Sequence, residues 1–241
     1  MKHKRWITAG IGGLLTVVLI ALVRLVDVAP IGAQGTSVGL SHLNQFVFDL
    51  FGVNMLWYHI TDWLGIAAIL TAFAFAVTGL VQLIKRRSLL KVDREILSLG
   101  GLYIVVIGLY ILFENVIVNY RPIIMPDNTH TEASFPSSHT MLVCVIMGSA
   151  AMLMNKYIQN KTLNKTLRAI CFVIIGVTVI GRLIAGVHWF TDILGAILIS
   201  VTLLSLFSLL VSFRRSEAFM PSDCGNPPDR GRLFTGGNHH E

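Results

Sequence analysis

The sequence predicts an all-α protein, a bundle of six membrane-spanning helices, from three observations. Hydrophobic residues make up 54% of the 241 residues, and the mean hydropathy is +0.70. Charged residues make up only 13%, well below the roughly 25% that is usual in soluble domains. Six apolar stretches are long enough to be candidate spans, since crossing the hydrocarbon takes about 20 helical residues. They are Trp6–Val23, Leu64–Ile84, Ile96–Phe113, Thr140–Met154, Ala169–Val187 and Ile193–Phe213.

The placement of lysine and arginine predicts that both termini lie in the cytoplasm, because cytoplasmic loops carry an excess of these residues. In that topology all but three of the 19 basic residues fall on the cytoplasmic side. The exceptions are Arg24, Arg121 and Arg182, which fall at or beyond the outer face. The net charge of +6 alone could indicate a nucleic acid or an anionic membrane surface as partner. Because the basic residues cluster in cytoplasmic loops, we expect the lipid bilayer as partner and no nucleic acid.

The chain is predicted to form one membrane domain over residues 1–215, followed by a cytoplasmic tail over 216–241. The tail is rich in Pro, Gly, Asp and Asn and poor in large apolar residues, so we expect it to be disordered. An alternative for the first apolar run is a secretory signal peptide that follows the basic stretch MKHKR. The run is long for such a peptide, and no clear cleavage site precedes Asp27, so a span is favoured.

The predicted outer segment Asp27–Asp62 contains no lysine or arginine. Its aromatic residues are spaced as in a helix that lies at the membrane interface, and Trp57, Tyr58 and Trp63 suit the headgroup layer. Two interpretations stay open, that the segment only lies at headgroup level or that it helps to gather a lipid substrate. The first is favoured.

Three polar clusters fall at the same outer edge in this topology. They are ENVIVNYRP at 114–122, PSSH at 136–139 and GRLIAGVHWFTD at 181–192. Ionisable residues within or beside membrane spans are energetically expensive, so they are candidate functional residues by default. The convergence follows from the distribution of basic residues alone.

The two arginines of these clusters indicate a phosphate site. Pro122 disfavours helix at the residue before it, so the third span is predicted to end at Arg121, near the interface. Arg182 is predicted to close the fifth span at the same depth. Two guanidinium groups can grip one phosphate from two sides, because the planar fork matches phosphate oxygens. The alternative is that each arginine extends to lipid headgroups; the presence of two histidines at the same edge favours the phosphate.

The stretch FPSSHTML resembles a helix start, with Ser137 or Ser138 as N-cap. The free backbone N–H groups at such a helix end form an anion site. His139 lies at the same rim, where its imidazole can donate a proton to a leaving oxygen.

His188 and Asp192 are four residues apart, which places them on one face of a helix. Gly186 predicts a tight hairpin at about Leu183–Val187, so that the sixth span begins near His188. Asp192 is then able to accept a hydrogen bond from one ring nitrogen, which leaves the other free as a nucleophile. Two alternatives stay open: a pair that only stabilises the hairpin, or a metal pair, for which no third ligand is evident at helical spacing.

These three clusters resemble the motifs of the type 2 phosphatidic acid phosphatase superfamily of integral membrane lipid phosphatases. The motifs of that family read K-x6-R-P, P-S-G-H and S-R-x5-H-x3-D. The match covers roughly Glu114–Asp192, and the six-span topology extends it over the membrane domain. The resemblance implies that Arg121 and Arg182 bind phosphate, together with Ser137 and the backbone amide of Ser138.

The resemblance also implies the catalytic roles. His188 would be the nucleophile that forms a phosphohistidine, which water then hydrolyses. His139 would be the general acid, and Asp192 would orient His188. The family needs no metal, so neither a metal nor another cofactor is expected.

The sequence departs from the family motifs at three positions. Glu114 stands where the family has lysine, Ser138 where it has glycine, and Gly181 where it has serine. A glutamate at a phosphate site repels the substrate unless it pairs with Arg121 or meets a cationic headgroup, so Glu114 is counted among the substrate-binding candidates.

We therefore expect a cell-membrane lipid phosphatase whose active site faces outside the cytoplasm. The candidate substrates are an isoprenoid diphosphate, phosphatidylglycerol phosphate and phosphatidic acid. The alternatives are a lipid phosphotransferase on the same scaffold, or a non-catalytic lipid-binding or transport protein in which Glu114 marks lost chemistry. His130 and Glu132 are further candidates for headgroup contacts.

Overall fold

The computed structural model describes residues 2–126 and 128–217, and over these residues the chain is all-helical. It forms no β-sheet there, only two isolated bridges, Ala29 with Val38 and Tyr120 with Ala133. Besides two short 3-10 turns, the helices are α1 (Lys2–Leu25), α2 (Ser41–Phe51), α3 (Met55–Arg86), α4 (Arg94–Asn115), α5 (Ser138–Tyr157), α6 (Lys161–Ala185) and α7 (Phe190–Glu217).

Six of these helices, α1 and α3 to α7, are long and apolar enough to cross a membrane. The predicted six-span bundle is thus confirmed, and the chain is a multi-pass membrane protein. Which side of the membrane each end of the bundle faces stays a prediction. The expected tail lies outside the described residues from 218 onward, and α7 extends to Glu217.

Helix α5 lies at the centre of the bundle. In its most apolar stretch 67% of the residues are buried, against 11% for α3 and 22% for α4. It contacts α3, α4, α6 and α7. A run of small residues, Gly148 to Ala151, allows this close packing, and Leu204 of α7 lies against Gly148. The central position of α5 places Ser138 and His139, at its first turn, among the ends of the surrounding helices.

The aromatic spacing predicted that the outer segment forms one interfacial helix. That prediction is wrong. Helix α2 ends at Phe51, and Gly52 follows with a φ of 62°. The side chain of Asn54 then caps α3 by accepting from the backbone N–H of Leu56 and Trp57. Glycine at positive φ and an asparagine N-cap are strong stop and start signals, and they outweigh the aromatic periodicity. Helix α3 therefore begins at Met55, well before the predicted start of the second span at Leu64.

The predicted hairpin between the fifth and sixth spans is confirmed, slightly later in the chain. Helix α6 ends at Ala185, Gly186 adopts a φ of 67°, and α7 begins at Phe190 rather than near His188. A Cβ on residue 186 would lie 1.9 Å from the carbonyl oxygen of Gly52, so the turn also packs against the break between α2 and α3. These two glycine-containing turns bring α3 and the start of α7 to the same end of the bundle.

Candidate active site

The three polar clusters meet at one end of the bundle. The connection between α4 and α5 contributes Arg121, the first turn of α5 contributes His139, and the end of α6 with the following turn contributes Arg182 and His188. Burial lowers the pKa of His188 well below its usual value, and the nearby charges of Arg121, Arg182 and His139 lower it further. The four side chains therefore interact electrostatically with one another, as the charge distribution predicted.

His188 presents one unpartnered ring nitrogen. Its Nδ1 lies 3.1 Å from the carbonyl oxygen of Ser134. Because a carbonyl can only accept, Nδ1 carries the proton and Nε2 keeps a free lone pair. Nε2 is buried and has no hydrogen-bond partner. This is the protonation pattern that a histidine nucleophile requires.

Asp192 does not hold the imidazole directly, which corrects the expected hydrogen bond. Its Oδ2 lies 3.9 Å from Nδ1 of His188 and instead accepts from the backbone N–H of Trp189 at 2.9 Å. The carboxylate closes a capping box at the start of α7, because Trp189 occupies the N-cap position three residues earlier. Asp192 therefore fixes the turn that carries His188, while the Ser134 carbonyl fixes the tautomer.

Asp192 also connects the three clusters. Its Oδ1 accepts from Nδ2 of Asn119 at 3.4 Å, and its backbone carbonyl accepts from the backbone N–H of Ser137 at 3.1 Å. The carboxylate is completely buried. The buried carboxyl group accepts from two segments and the backbone carbonyl of the same residue from a third, so Asp192 stabilises their arrangement and its partners would be costly to leave unpaired.

Arg182 is fully buried, so it does not extend to lipid headgroups. Its Nη2 lies 2.6 Å from Oδ1 of Asp62, and its guanidinium stacks 4.8 Å from the ring centroid of Tyr58. Its Nε is buried and has no partner. A donor left open on a buried guanidinium suits an anionic ligand.

Arg121 lies beside the turn that carries His188. Its Nη1 is 3.4 Å from the carbonyl oxygen of Val187, and its Nε is 2.9 Å from Oε2 of Glu132. The contact with Glu132 is an ion pair without hydrogen-bond alignment. Glu132, expected at the lipid headgroup, thus pairs with Arg121.

The start of α5 follows the prediction in position but not in detail. Ser137 is the N-cap residue, yet its hydroxyl makes no capping bond and pairs with Oγ1 of Thr140 at 3.0 Å. The carbonyl of Ser137 accepts the first helical bond, from Met141. Ser138 lines a pocket together with Arg121 and His188, so the first turn of α5 lies beside a candidate phosphate-binding residue and the candidate nucleophile.

Glu114 lines that same pocket, but it does not pair with Arg121, whose ion pair is with Glu132. Its side chain is exposed and interacts with the Tyr110 hydroxyl one turn earlier on α4. The carboxylate therefore stands at the rim of the pocket, available to a ligand.

Four contributing residues were not singled out from the sequence for these roles. Asp62 carries a detectable signal, because it is an ionisable residue directly before an apolar run. Tyr58 was expected in the headgroup layer, and it stacks on Arg182 instead. Asn119 lies inside the first cluster, but nothing in its spacing indicates that it binds Asp192. Ser134 acts through its backbone carbonyl, for which no sequence signal exists.

Comparison with known proteins gives one family match and one match in fold. Residues 114–216 match the family model described as the PAP2 superfamily. The fold is similar to the crystal structure of a transmembrane PAP2-type phosphatidylglycerolphosphate phosphatase from Bacillus subtilis, with a TM-score of 0.61 and 18% sequence identity. That match covers 87% of this chain and 96% of the other. No curated protein sequence matches. The chain thus carries the PAP2 superfamily pattern over residues 114–216, and the predicted resemblance to the type 2 phosphatidic acid phosphatases is confirmed.

Proposed function

We propose that this protein is a membrane lipid phosphatase that hydrolyses a lipid phosphate or diphosphate through a phosphohistidine. The observation that carries the proposal is the buried, unpartnered Nε2 of His188 beside two guanidinium groups. An unprotonated imidazole nitrogen without a partner is costly in a fold unless a ligand occupies the position in front of it. Arg121 and Arg182 make that position attractive to a phosphoryl group.

In the first step, the lone pair on Nε2 of His188 attacks phosphorus and forms the N–P bond. The bond from phosphorus to the lipid oxygen breaks, and its electron pair goes to that oxygen. His139 donates a proton to the departing oxygen, so the lipid leaves as a neutral alcohol or, from a diphosphate, as the monophosphate.

In the second step, water attacks the phosphohistidine. His139, now deprotonated, accepts a proton from that water, and the N–P bond breaks with its electron pair returning to Nε2. Inorganic phosphate leaves, and both imidazoles regain their starting protonation. Arg121 and Arg182 stabilise the charge on the equatorial oxygens in both steps.

An apolar groove beside the site supports a lipid substrate. It has a volume of about 520 Å³ and runs between α3 and α4, with Gly65, Ile66 and Ile69 on one wall and Val106 and Ile107 on the other. His139 and Ser138 lie at its end. The groove therefore suits an apolar chain attached to the phosphate that the site binds.

The test is release of inorganic phosphate by the purified full chain from a panel of phosphatidic acid, phosphatidylglycerol phosphate and isoprenoid diphosphates in detergent. We expect release from at least one lipid, and a loss of at least about 10³-fold in His188→Ala, because the nucleophile is removed. His42→Ala is the matched control, since that imidazole is 94% exposed on α2. No release from any lipid, or equal release by His188→Ala, would contradict the proposal.

The phosphotransferase alternative is favoured by one observation, the carboxylate of Glu114 at the rim of the phosphate pocket. A carboxylate there can accept a hydrogen bond from the hydroxyl of an acceptor lipid or sugar. Incubation with donor and acceptor lipids together, followed by mass spectrometry, separates the two activities. Hydrolysis predicts free phosphate and no phosphorylated acceptor.

A further inference from the structure

Asp62 contacts two side chains of the site, the guanidinium of Arg182 and the imidazole of His139. Its Oδ1 is 2.6 Å from Nη2 of Arg182 and 3.1 Å from Nε2 of His139. The two partners come from α6 and α5, and Asp62 comes from α3, outside the segment 114–216 that matches the family. One carboxylate oxygen thus connects three helices at the site.

The approach of α3 to Arg182 depends on Gly181. A Cβ on residue 181 would lie 2.5 Å from Cγ2 of Thr61 and 3.0 Å from Cε3 of Trp57. The absence of a side chain there lets α3 pack closely against the end of α6. Tyr58 and Asp62, four residues apart and therefore on one face of α3, both contact Arg182 as a result.

This contact sets the direction of the Arg182 guanidinium. Asp62 engages Nη2, whereas Nε stays buried without a partner. The guanidinium is planar and rigid. Its Nη2 is held by Asp62 and its flat face by the Tyr58 ring, so the Nε–H bond points in a defined direction. The unpartnered donor is therefore held in a fixed orientation by Asp62 and Tyr58.

The same carboxylate acts on His139. The imidazole is 40% exposed and borders the apolar groove, so packing alone does not restrain it. The contact at 3.1 Å between Oδ1 of Asp62 and Nε2 of His139 is an ion-pair contact rather than an aligned hydrogen bond, and it favours the protonated, cationic ring. Asp62 thus attracts the protonated ring at Nε2 and holds it at the end of the groove, which leaves the Nδ1 proton as the one that can be transferred to the departing lipid oxygen.

We propose that Asp62 is a positioning residue for phosphoryl transfer, one that orients the guanidinium of Arg182 and the protonated ring of His139 toward the same substrate phosphate. The inference rests on the proposed function. It adds to that function a residue of α3 that works through two others rather than by touching the reacting atoms. A displacement of about 1 Å of such groups costs about 10²-fold in rate.

The experiment compares steady-state kinetics of the wild type, Asp62→Asn and Asp62→Glu on the lipid that the wild type hydrolyses. We expect kcat to fall about 10- to 100-fold in Asp62→Asn, with KM changed only a few-fold, because orientation is lost while the phosphate contacts remain. Asp62→Glu keeps the charge but displaces the oxygens by about one bond length, so its kcat should lie between the two. Asp49→Asn is the matched control, since Asp49 is exposed on α2 and binds only Gln45 among the contacts described for it.

The outcomes separate the two proposals. An inactive wild type overturns the proposed function and this inference with it. An active wild type with an unchanged kcat in Asp62→Asn overturns this inference alone. A fall in both KM and the inhibition constant of inorganic phosphate in Asp62→Asn, with kcat unchanged, would also overturn the inference. It would mean that the Asp62 carboxylate competes with the substrate phosphate instead of positioning its partners. Should Asp62→Asn fail to fold, as judged by its thermal unfolding, the kcat of Asp62→Glu decides in its place.

Discussion

Two clusters of charged side chains at opposite ends of the helix bundle, one around Asp93 and one around His188, differ in how completely their polar atoms are paired. At the end opposite the active site, Asp93 accepts from Arg86 at 2.9 Å and from Gln82 and Tyr157 at 3.1 Å each, and Lys156 lies at 3.3 Å. Both carboxylate oxygens are thus occupied. At the active-site end, Nε of Arg182 and Nε2 of His188 are buried without a partner.

This difference distinguishes a structural network from a binding site. A buried polar group without a partner costs about 1–3 kcal/mol, so the open atoms of the cluster around His188 carry a cost that the Asp93 cluster avoids. The Asp93 cluster connects α3, α4 and α5 and needs nothing more. The cluster around His188 keeps open donors and a lone pair, which the proposed phosphoryl group would engage.

Among the substitutions that test this comparison, Arg182→Lys in the cluster around His188 is expected to have the largest effect. Lysine keeps the charge but loses the planar fork that binds Asp62 and presents Nε, so we expect kcat/KM to fall about 10²- to 10³-fold. Arg94→Lys, at an exposed position at the start of α4, is the control and should leave kcat/KM unchanged. Phosphate release from lipid measures both, and a fall of less than about threefold for Arg182→Lys would argue against a direct contact with substrate.

Asp192→Asn tests whether the buried turn around His188 is needed for activity. Both side-chain partners of Asp192, the Trp189 backbone N–H and Nδ2 of Asn119, are donors, so an amide places a donor against a donor. We expect a loss of about 1–3 kcal/mol in stability and at least about tenfold in kcat, because the turn that carries His188 is displaced. Thermal unfolding and kinetics on the same preparation measure the two effects. Full activity would mean that the Ser134 carbonyl alone suffices to orient His188.

Glu114→Lys tests the rim of the pocket. The substitution inverts a charge beside a phosphate site, and an exposed pair contributes about 1 kcal/mol, so we expect kcat/KM for phosphatidic acid to rise about fivefold. The effect should diminish at high salt. A large loss would instead show that Glu114 takes part in this protein's own chemistry, as the phosphotransferase alternative requires.

Asp93→Asn makes the change from aspartate to asparagine in the fully paired cluster around Asp93. It should have the smallest effect on turnover. Its partners are also donors, so the unfolding temperature should fall as it does for Asp192→Asn. The activity per folded molecule should stay at the wild-type level, because no residue of this cluster lines the active-site pocket. A parallel loss of activity would contradict the distinction between the two ends.

The general arrangement could be predicted from the sequence because each indication was a property of one residue or a sum over a stretch of residues. Hydropathy located the six spans, and the excess of basic residues on one side placed Arg121, His139 and His188 at one edge. The glycine at 186 predicted the turn between α6 and α7 for the same reason, since its backbone freedom is a property of one residue.

The details that were missed depend on contacts between distant segments. Asp62 reaches Arg182 only because Gly181 lets α3 and α6 approach, and neither residue alone indicates that contact. The spacing of His188 and Asp192 suggested a direct bond, yet helix α7 begins two residues after His188, so the carboxylate caps the helix instead. The tautomer of His188 depends on a backbone carbonyl, which is common to every residue type.

The most direct test of the account is whether the phosphoryl group becomes attached to His188 during turnover. The wild type is mixed with lipid labelled at the phosphate, quenched in alkali, where phosphohistidine survives, and digested for mass spectrometry. We predict label on the peptide that contains His188, and none on that peptide in His188→Ala. Turnover by the wild type with no labelled histidine at any quench time, or label that persists in His188→Ala, would contradict the account.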